Sequence, residues 1–175
     1  MTTTLDLRNY IRDIPDFPKP GILFKDITPL LASPEAFSAA IDRLTARYEN
    51  QQIDAVVAAE SRGFIFGAPL ALRLSAAFVP VRKPGKLPFD THSHSYDLEY
   101  GSDTLEIHQD ALTPGARVVV VDDLLATGGT LHACLKLLEK FNDIEIVECA
   151  FCIHLTALKG EQRLAHYPIF SLIQY

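Results

Sequence analysis

Two adjacent acids, Asp122 and Asp123, are followed closely by a small turn containing Ala126, Thr127, Gly128, Gly129 and Thr130. The two threonines supply hydroxyl donors, and the paired glycines let an anion come close to backbone N–H groups. Two carboxylates beside such a nest repel a bare phosphate. They suit a ligand that also offers hydroxyls or a metal, and ribose 5-phosphate has that combination. A Gly-Gly pair alone is a weak signal, and neither the dinucleotide nor the P-loop glycine pattern is present.

The flanking residues explain how such a turn is held. Residues 118–121 are four consecutive valines, the pattern of a strand buried on both faces of a parallel sheet, and the strand is expected to end at the acids. Beyond the turn, Leu131, Leu135, Leu138 and Phe141 recur at helical spacing. Strand, tight turn and helix together aim N–H groups and a helix dipole at an anion.

A second strand end carries Glu60, Ser61, Arg62 and Gly63 after the apolar run 53–59. Its guanidinium suits a bidentate grip on phosphate, the alternative being a local salt bridge from Arg62 to Glu60. Arg82, Lys83 and Lys86 then gather three cations around Pro84, Gly85 and Pro88, at the start of a polar stretch that runs to about residue 108. A connection of that length inside a small domain moves or acts. Residues 96–100 and 104–107 read as a short hairpin, and the stretch as a whole as either a closing lid or an exposed β-arm. Among its acids, the residues alone leave Asp97, Glu99, Asp103 and Glu106 equal as proton donors or acceptors.

Helical spacing from Ser33, Pro34 and Glu35 to about residue 50, a helix from residue 63 to about 74, and apolar runs at 53–59, 77–82 and 144–154 complete a βαβαβ series. The predicted fold is α/β, a doubly wound, mostly parallel sheet flanked by helices, with both candidate turns at strand C-terminal ends. Pro80 marks its strand as an edge or a bulge. A short helix is expected within residues 5–13. The proline-rich, apolar segment after it reads as a flap over the core or a pocket wall.

Composition bounds the rest. The 175 residues suit one domain, 48% of them hydrophobic and 22% charged. A net charge of −6 argues against a general nucleic-acid or membrane surface. No apolar run is long enough to span a bilayer, and the first residues lack the pattern of a secretion signal. Cys149 and Cys152 lie three apart on an expected strand and so face opposite ways. With Cys134 they read as core thiols of a cytoplasmic protein. His92 and His94 show no third ligand for a metal.

The acid pair with its A-T-G-G-T turn resembles the 5-phosphoribosyl-1-pyrophosphate (PRPP) signature of the type I phosphoribosyltransferases. E-S-R-G-F-I-F-G, R-K-P-G-K-L-P, S-Y-D-L-E-Y-G and residues 15–27 resemble, in order, the pyrophosphate loop, mobile loop and base-covering hood of the adenine enzymes in that family. The resemblance runs from about Phe17 to Tyr175. It implies adenine and PRPP as substrates, AMP and pyrophosphate as products, Mg²⁺ as cofactor and a homodimer. Asp122 and Asp123 would then meet the ribose, and residues 126–130 the 5′-phosphate. Glu60, Ser61, Arg62, Gly63, Arg82, Lys83, Lys86 and Tyr100 would surround pyrophosphate, across a cis Glu60–Ser61 bond. Glu99 would be the acid/base, with Arg62 and Asp123 also catalytic. Leu23, Phe24, Lys25 and Leu155 would enclose adenine, Leu23 and Lys25 through their backbone. Lys25 departs from the arginine usual there. Residues 10–32 would form the hood and 82–108 the mobile loop of a single domain spanning 1–175. The rival readings are a transferase for 6-oxopurines and a PRPP-sensing regulator without turnover.

Overall fold

Five alanine and valine residues, Ala55–Ala59, form a strand buried along its whole length, and the valines of Arg117–Leu125 pair beside it in parallel. Around these two, a computed structural model describes residues 5–97 and 102–175. In chain order the elements are β1 (Arg12–Pro15), β2 (Leu23–Asp26), α1 (Thr28–Ala32), α2 (Pro34–Tyr48), β3 (Ala55–Ala59) and α3 (Gly63–Leu74). They continue with β4 (Ala77–Val81), β5 (Thr91–Asp97), β6 (Ser102–His108), β7 (Arg117–Leu125), α4 (Gly129–Leu138), β8 (Glu145–His154) and β9 (Ile169–Gln174). The main sheet runs β4-β3-β7-β8-β9, every neighbouring pair parallel.

One face of this sheet is packed by α2 and α3, through side chains such as Ile41, Leu44, Phe66 and Leu70. The other face is packed by α4 together with Leu105 and Ile107 of β6. Doubly wound α/β architecture is therefore what the chain adopts. Cys149 and Cys152 fall into the cores on opposite faces, and Cys134 is buried as well. Pro80 sits on β4, an edge strand, where its missing N–H removes no ladder bond between two neighbours. Ser33 caps α2 by accepting from the Ala36 N–H at 3.2 Å, with Pro34 at the first helical position.

Several expectations are corrected. Residues 5–13 hold only a 3-10 turn, Leu7–Tyr10, because the next residues pair as β1 with β2 in a separate two-stranded sheet. Strand β7 does not stop at the acids but carries them to Leu125, since β8 continues to pair with it through His154. The polar stretch after Lys86 is mostly an antiparallel arm, Thr91 facing His108 and Asp97 facing Ser102, longer than the short hairpin expected. Helix α4 ends at Leu138, so Phe141 packs from the following turn, its ring 5.3 Å from that of His92. Strand β9 and helix α1 had no distinct periodic signal.

A buried carboxylate fastens α2 to the sheet. Glu148 on β8 is 5% exposed, accepts from Arg47 Nη2 at 2.8 Å and Nε at 3.0 Å, and accepts from the Tyr48 hydroxyl at 2.7 Å. Burial, then the neighbouring carboxylate, holds the Tyr48 phenol in its protonated, donating form. Replacing Tyr48 with Phe removes one charge-assisted bond while Arg47 remains. Urea unfolding of Y48F should show about 1–2 kcal/mol lost at an unchanged m-value.

Candidate active site

The register of β3 against β7, Ala58 beside Val121, brings the two strand-end turns side by side. Between them lies a cavity of about 340 Å³, lined by residues 60–62, residues 122–131 and the Phe151 ring. Its floor is the phosphate-type turn. Gly128 has φ +79°, a conformation that disfavours side chains, and no side chain caps the helix it opens. The first residues of α4 line the cavity, and its N-cap offers their N–H groups no side-chain acceptor, as an anion site requires.

The two acids occupy different environments. Asp123 is 5% exposed, and its Oδ2 accepts from Arg62 Nε at 2.5 Å. For Arg62, burial works against the charge, and the hydrogen bond and charge of Asp123 outweigh it, so the guanidinium is held more firmly protonated than usual. Asp122 uses Oδ1 to accept from the Asp123 N–H at 2.8 Å. Desolvation, followed by the charge of Asp123, raises its carboxyl well above the ordinary carboxylate range. The site thus holds one ion pair and, next to it, an acid inclined to keep a proton.

The local salt bridge from Arg62 to Glu60 is not formed. Glu60 turns the other way and collects the cationic loop: Arg82 Nε at 3.3 Å, the Lys83 N–H at 3.0 Å, and the Lys86 ammonium. The Lys83 side chain pairs instead with Asp103 at 3.0 Å. All three loop cations are therefore engaged by carboxylates, and of the group only Glu60 lines the cavity. The Glu60–Ser61 peptide is cis, as the resemblance implied, and Gly63 opens α3 behind it.

Leu23, Phe24, Lys25 and Leu155 do not line this cavity. Leu23 is exposed and Phe24 stacks edge-on with Phe17 at 5.1 Å between ring centroids. Leu155 follows the end of β8, its N–H bonded to the Leu125 carbonyl at 2.9 Å, close to the phosphate-type turn. Glu99 and Tyr100 lie outside the described residues. Among the described residues, no group of three or more His, Cys, Asp or Glu is arranged to hold a metal ion.

Two supporting residues carried no sequence signal of their own. Gly160 is buried against the outside of the turn, and a Cβ there would strike the Ala126 carbonyl oxygen and come within 3.0 Å of the Gly128 nitrogen. Conversely, a Cβ at Gly128 would sit 2.6 Å from the Gly160 carbonyl oxygen. The two backbones are thus in direct contact, an approach possible only for glycines. Arg163 places Nη1 3.4 Å from where a Cβ of Gly129 would be, a further cation beside the anion turn.

Comparison with known proteins gives a consistent picture. A phosphoribosyl transferase domain model matches residues 28–173. The chain is 64% identical over 171 residues to an adenine phosphoribosyltransferase of Rhodopirellula baltica, covering 98% of this chain and 82% of that protein. Its fold superimposes with a TM-score of 0.93 on the adenine phosphoribosyltransferase of Thermoanaerobacter pseudethanolicus, at 53% identity and coverage of 99% and 100%. It is also similar to the Saccharomyces cerevisiae adenine phosphoribosyltransferase complexed with D-2,5-dideoxy-2,5-imino-altritol 1,6-bisphosphate and adenine, with TM-score 0.89, 41% identity and coverage of 95% and 96%.

Two measurements follow from the geometry. Gly160→Ala should weaken ribose 5-phosphate binding by about tenfold or more in calorimetry, since the turn must shift to admit the methyl group, whereas Lys159→Ala should stay within about twofold. The second concerns acid stability. The Lys86 hydrogen bond, opposed by burial and aided by the Lys83 N–H, holds Glu60 below its ordinary value of 4.5. The Lys83 hydrogen bond likewise lowers Asp103. The unfolded chain then binds more protons than the folded one as the pH drops. This contribution is complete above pH 4.5 and is lost as pH falls through the depressed folded values. Glu60→Gln should remove its share, so the stability difference from the parent shrinks on acidification below that point.

Proposed function

We infer the chemistry of the cleft from the premise that the chain belongs to the adenine phosphoribosyltransferase family: it is a purine-salvage enzyme that converts adenine and PRPP to AMP and pyrophosphate. The observation that carries the residue assignments is the cavity itself, an uncapped helix turn facing an Arg62–Asp123 ion pair across one pocket. The 5′-phosphate docks on residues 126–130, with backbone N–H groups and the hydroxyls of Thr127 and Thr130 as its donors. Asp122 and Asp123 receive the ribose hydroxyls, and Arg62 with the Ser61 backbone receives the diphosphate. Arg82, Lys83 and Lys86 close over that diphosphate as the arm, residues 82–108, moves in. Gly63 and Tyr100 complete the loop around it.

The bond from ribose C1 to the diphosphate oxygen breaks as the bond from C1 to the purine nitrogen forms. Positive charge develops on the sugar in between, and the acids of the cleft, the Asp123 carboxylate foremost, stabilise it while Arg62 and the loop cations stabilise the departing diphosphate. Glu99 handles the proton at the purine ring. Adenine itself sits between the hood, residues 10–32, and Leu155. Leu23 and Lys25 meet it through backbone groups and Phe24 stacks on it. Holding both substrates in line contributes more than any single proton transfer.

Mg²⁺ fits this donor set. Asp122 and Asp123 are hard oxygen donors of the kind that, one or two at a time, share magnesium with substrate phosphates. Bound together with PRPP, the ion would supply charge neutralisation of the diphosphate, and Asp122 and Asp123 would hold the ribose hydroxyls beside it. Three free, buried cysteines suit a reducing cytoplasm, and the family pattern supports a homodimer. No helix among the described residues is long and apolar enough to cross a membrane.

The test is pyrophosphate release from PRPP and Mg²⁺ with adenine, hypoxanthine, guanine, xanthine and orotate supplied separately. Adenine alone should support release. Release with a 6-oxopurine instead would overturn the base assignment, and PRPP binding without release would favour a regulator. Arg62→Ala and Asp123→Ala should each lower kcat/KM by about two orders of magnitude or more. Near-normal activity in both would remove the pair from the mechanism.

A further inference from the structure

Lys25 has an unusual environment for a lysine. Its side chain is only 10% exposed, and two groups meet its ammonium: Asp13 of β1 at 2.6 Å and the face of the Tyr175 ring at 3.9 Å from its centroid. A lysine charge removed from water needs such partners. Asp13 is itself half exposed, so the ring is the partner that shields the charge on the protein side. The guanidinium of Arg8 lies 5.6 Å from the same ring, and its Nη2 donates to the Gln174 carbonyl at 2.9 Å.

The backbone of Tyr175 is bound elsewhere. Its N–H donates to the His154 carbonyl at 3.0 Å, and its carbonyl accepts from the Thr156 N–H at 2.9 Å and the Thr156 hydroxyl at 2.6 Å. His154 and Thr156 are the two neighbours of Leu155. A single residue therefore holds, by its ring, the strand bearing Leu23 and Lys25 and, by its backbone, the chain on either side of Leu155.

We propose that Tyr175 is a positioning residue for the base: it sets the spacing between the β2 wall and the Leu155 wall by clamping Lys25 to the backbone that carries Leu155. This rests on the functional reading that adenine lies between those walls. A lysine ammonium over a ring needs only the aromatic face, so the device uses the tyrosine ring and not its hydroxyl. It also gives Lys25 a defined task in a wall that otherwise meets the base through main-chain groups. Neither Lys25 nor Tyr175 lines the PRPP cavity.

The distinguishing experiment is steady-state kinetics of the full chain with each substrate varied in turn, for the parent, Tyr175→Leu and Tyr175→Phe. Leucine keeps an apolar side chain and the backbone bonds but has no π face. Y175L should raise the KM for adenine about fivefold or more, with the KM for PRPP within about twofold and kcat little changed. Y175F should behave as the parent does. The unchanged PRPP KM, with the thermal midpoint, shows that Y175L has folded. An unchanged adenine KM in Y175L, a parallel rise for both substrates, or a Y175F as impaired as Y175L would each overturn the proposal. A parent enzyme that turns over adenine while Y175L matches it overturns the clamp alone. A parent that forms no AMP overturns the function on which the clamp rests.

Discussion

Arg62 and Asp123 sit at the ends of two neighbouring parallel strands, and their 2.5 Å ion pair is where the separate parts of the cleft meet. It follows from register. With Ala58 paired to Val121, the turn after β3 must lie beside the last residues of β7, and the Arg62 guanidinium in that turn reaches the Asp123 carboxylate on the strand. A one-residue slip would send the valines of β7 to the wrong cores and carry Asp123 away from Arg62. The fully buried strands that enforce this register are thus as much part of the site as the polar residues. The pair also answers a problem that burial creates, since Asp123 without a cation would be an uncompensated charge nearly cut off from water.

The same logic extends outward. Glu60 gathers Arg82, Lys86 and the Lys83 backbone, and Asp103 holds Lys83, so the cations suited to a diphosphate are already neutralised by protein carboxylates. Binding is then an exchange of partners, not the filling of a bare positive site. That arrangement lowers the cost of assembling so many cations, and under the proposed function the ligand's own charge would displace Glu60 and Asp103 from their partners. On the far side, the phosphate turn is supported by backbone, with Gly160 pressed against Gly128.

Much of this was legible from residue types. The four valines specified a two-sided buried strand, Ser33 and Pro34 specified a helix start, and Pro80 specified an edge or a bulge, the edge being what forms. The acid pair and small turn specified a cleft at a strand end, and the structure brings both to line one cavity. Other features depend on partners distant in sequence and left no local trace. The extension of β7 through its acids requires β8 alongside. The contact of Gly160 with Gly128 joins segments that no periodicity connects, and the partner of Arg62 is 61 positions away, not Glu60 two residues before it. The arm appeared shorter because His92, Ser93, His94 and Ser95 do not alternate in polarity, yet cross-strand pairing holds them in β5.

The central claim is that the Arg62–Asp123 pair is the element that PRPP engages. It is most directly tested by NMR of the arginine Nε–H groups, with Arg62→Lys used to assign the Arg62 signal. In the free protein that proton should appear strongly downfield, as expected for a short bond to a carboxylate. Adding PRPP with Mg²⁺ should shift it in proportion to occupancy, while the Nε–H signal of Arg47, bonded to Glu148 near the start of β8, stays in place. An Arg62 signal that does not move at saturating PRPP would show that the ligand binds without engaging this pair, and would contradict the assignment of the cleft.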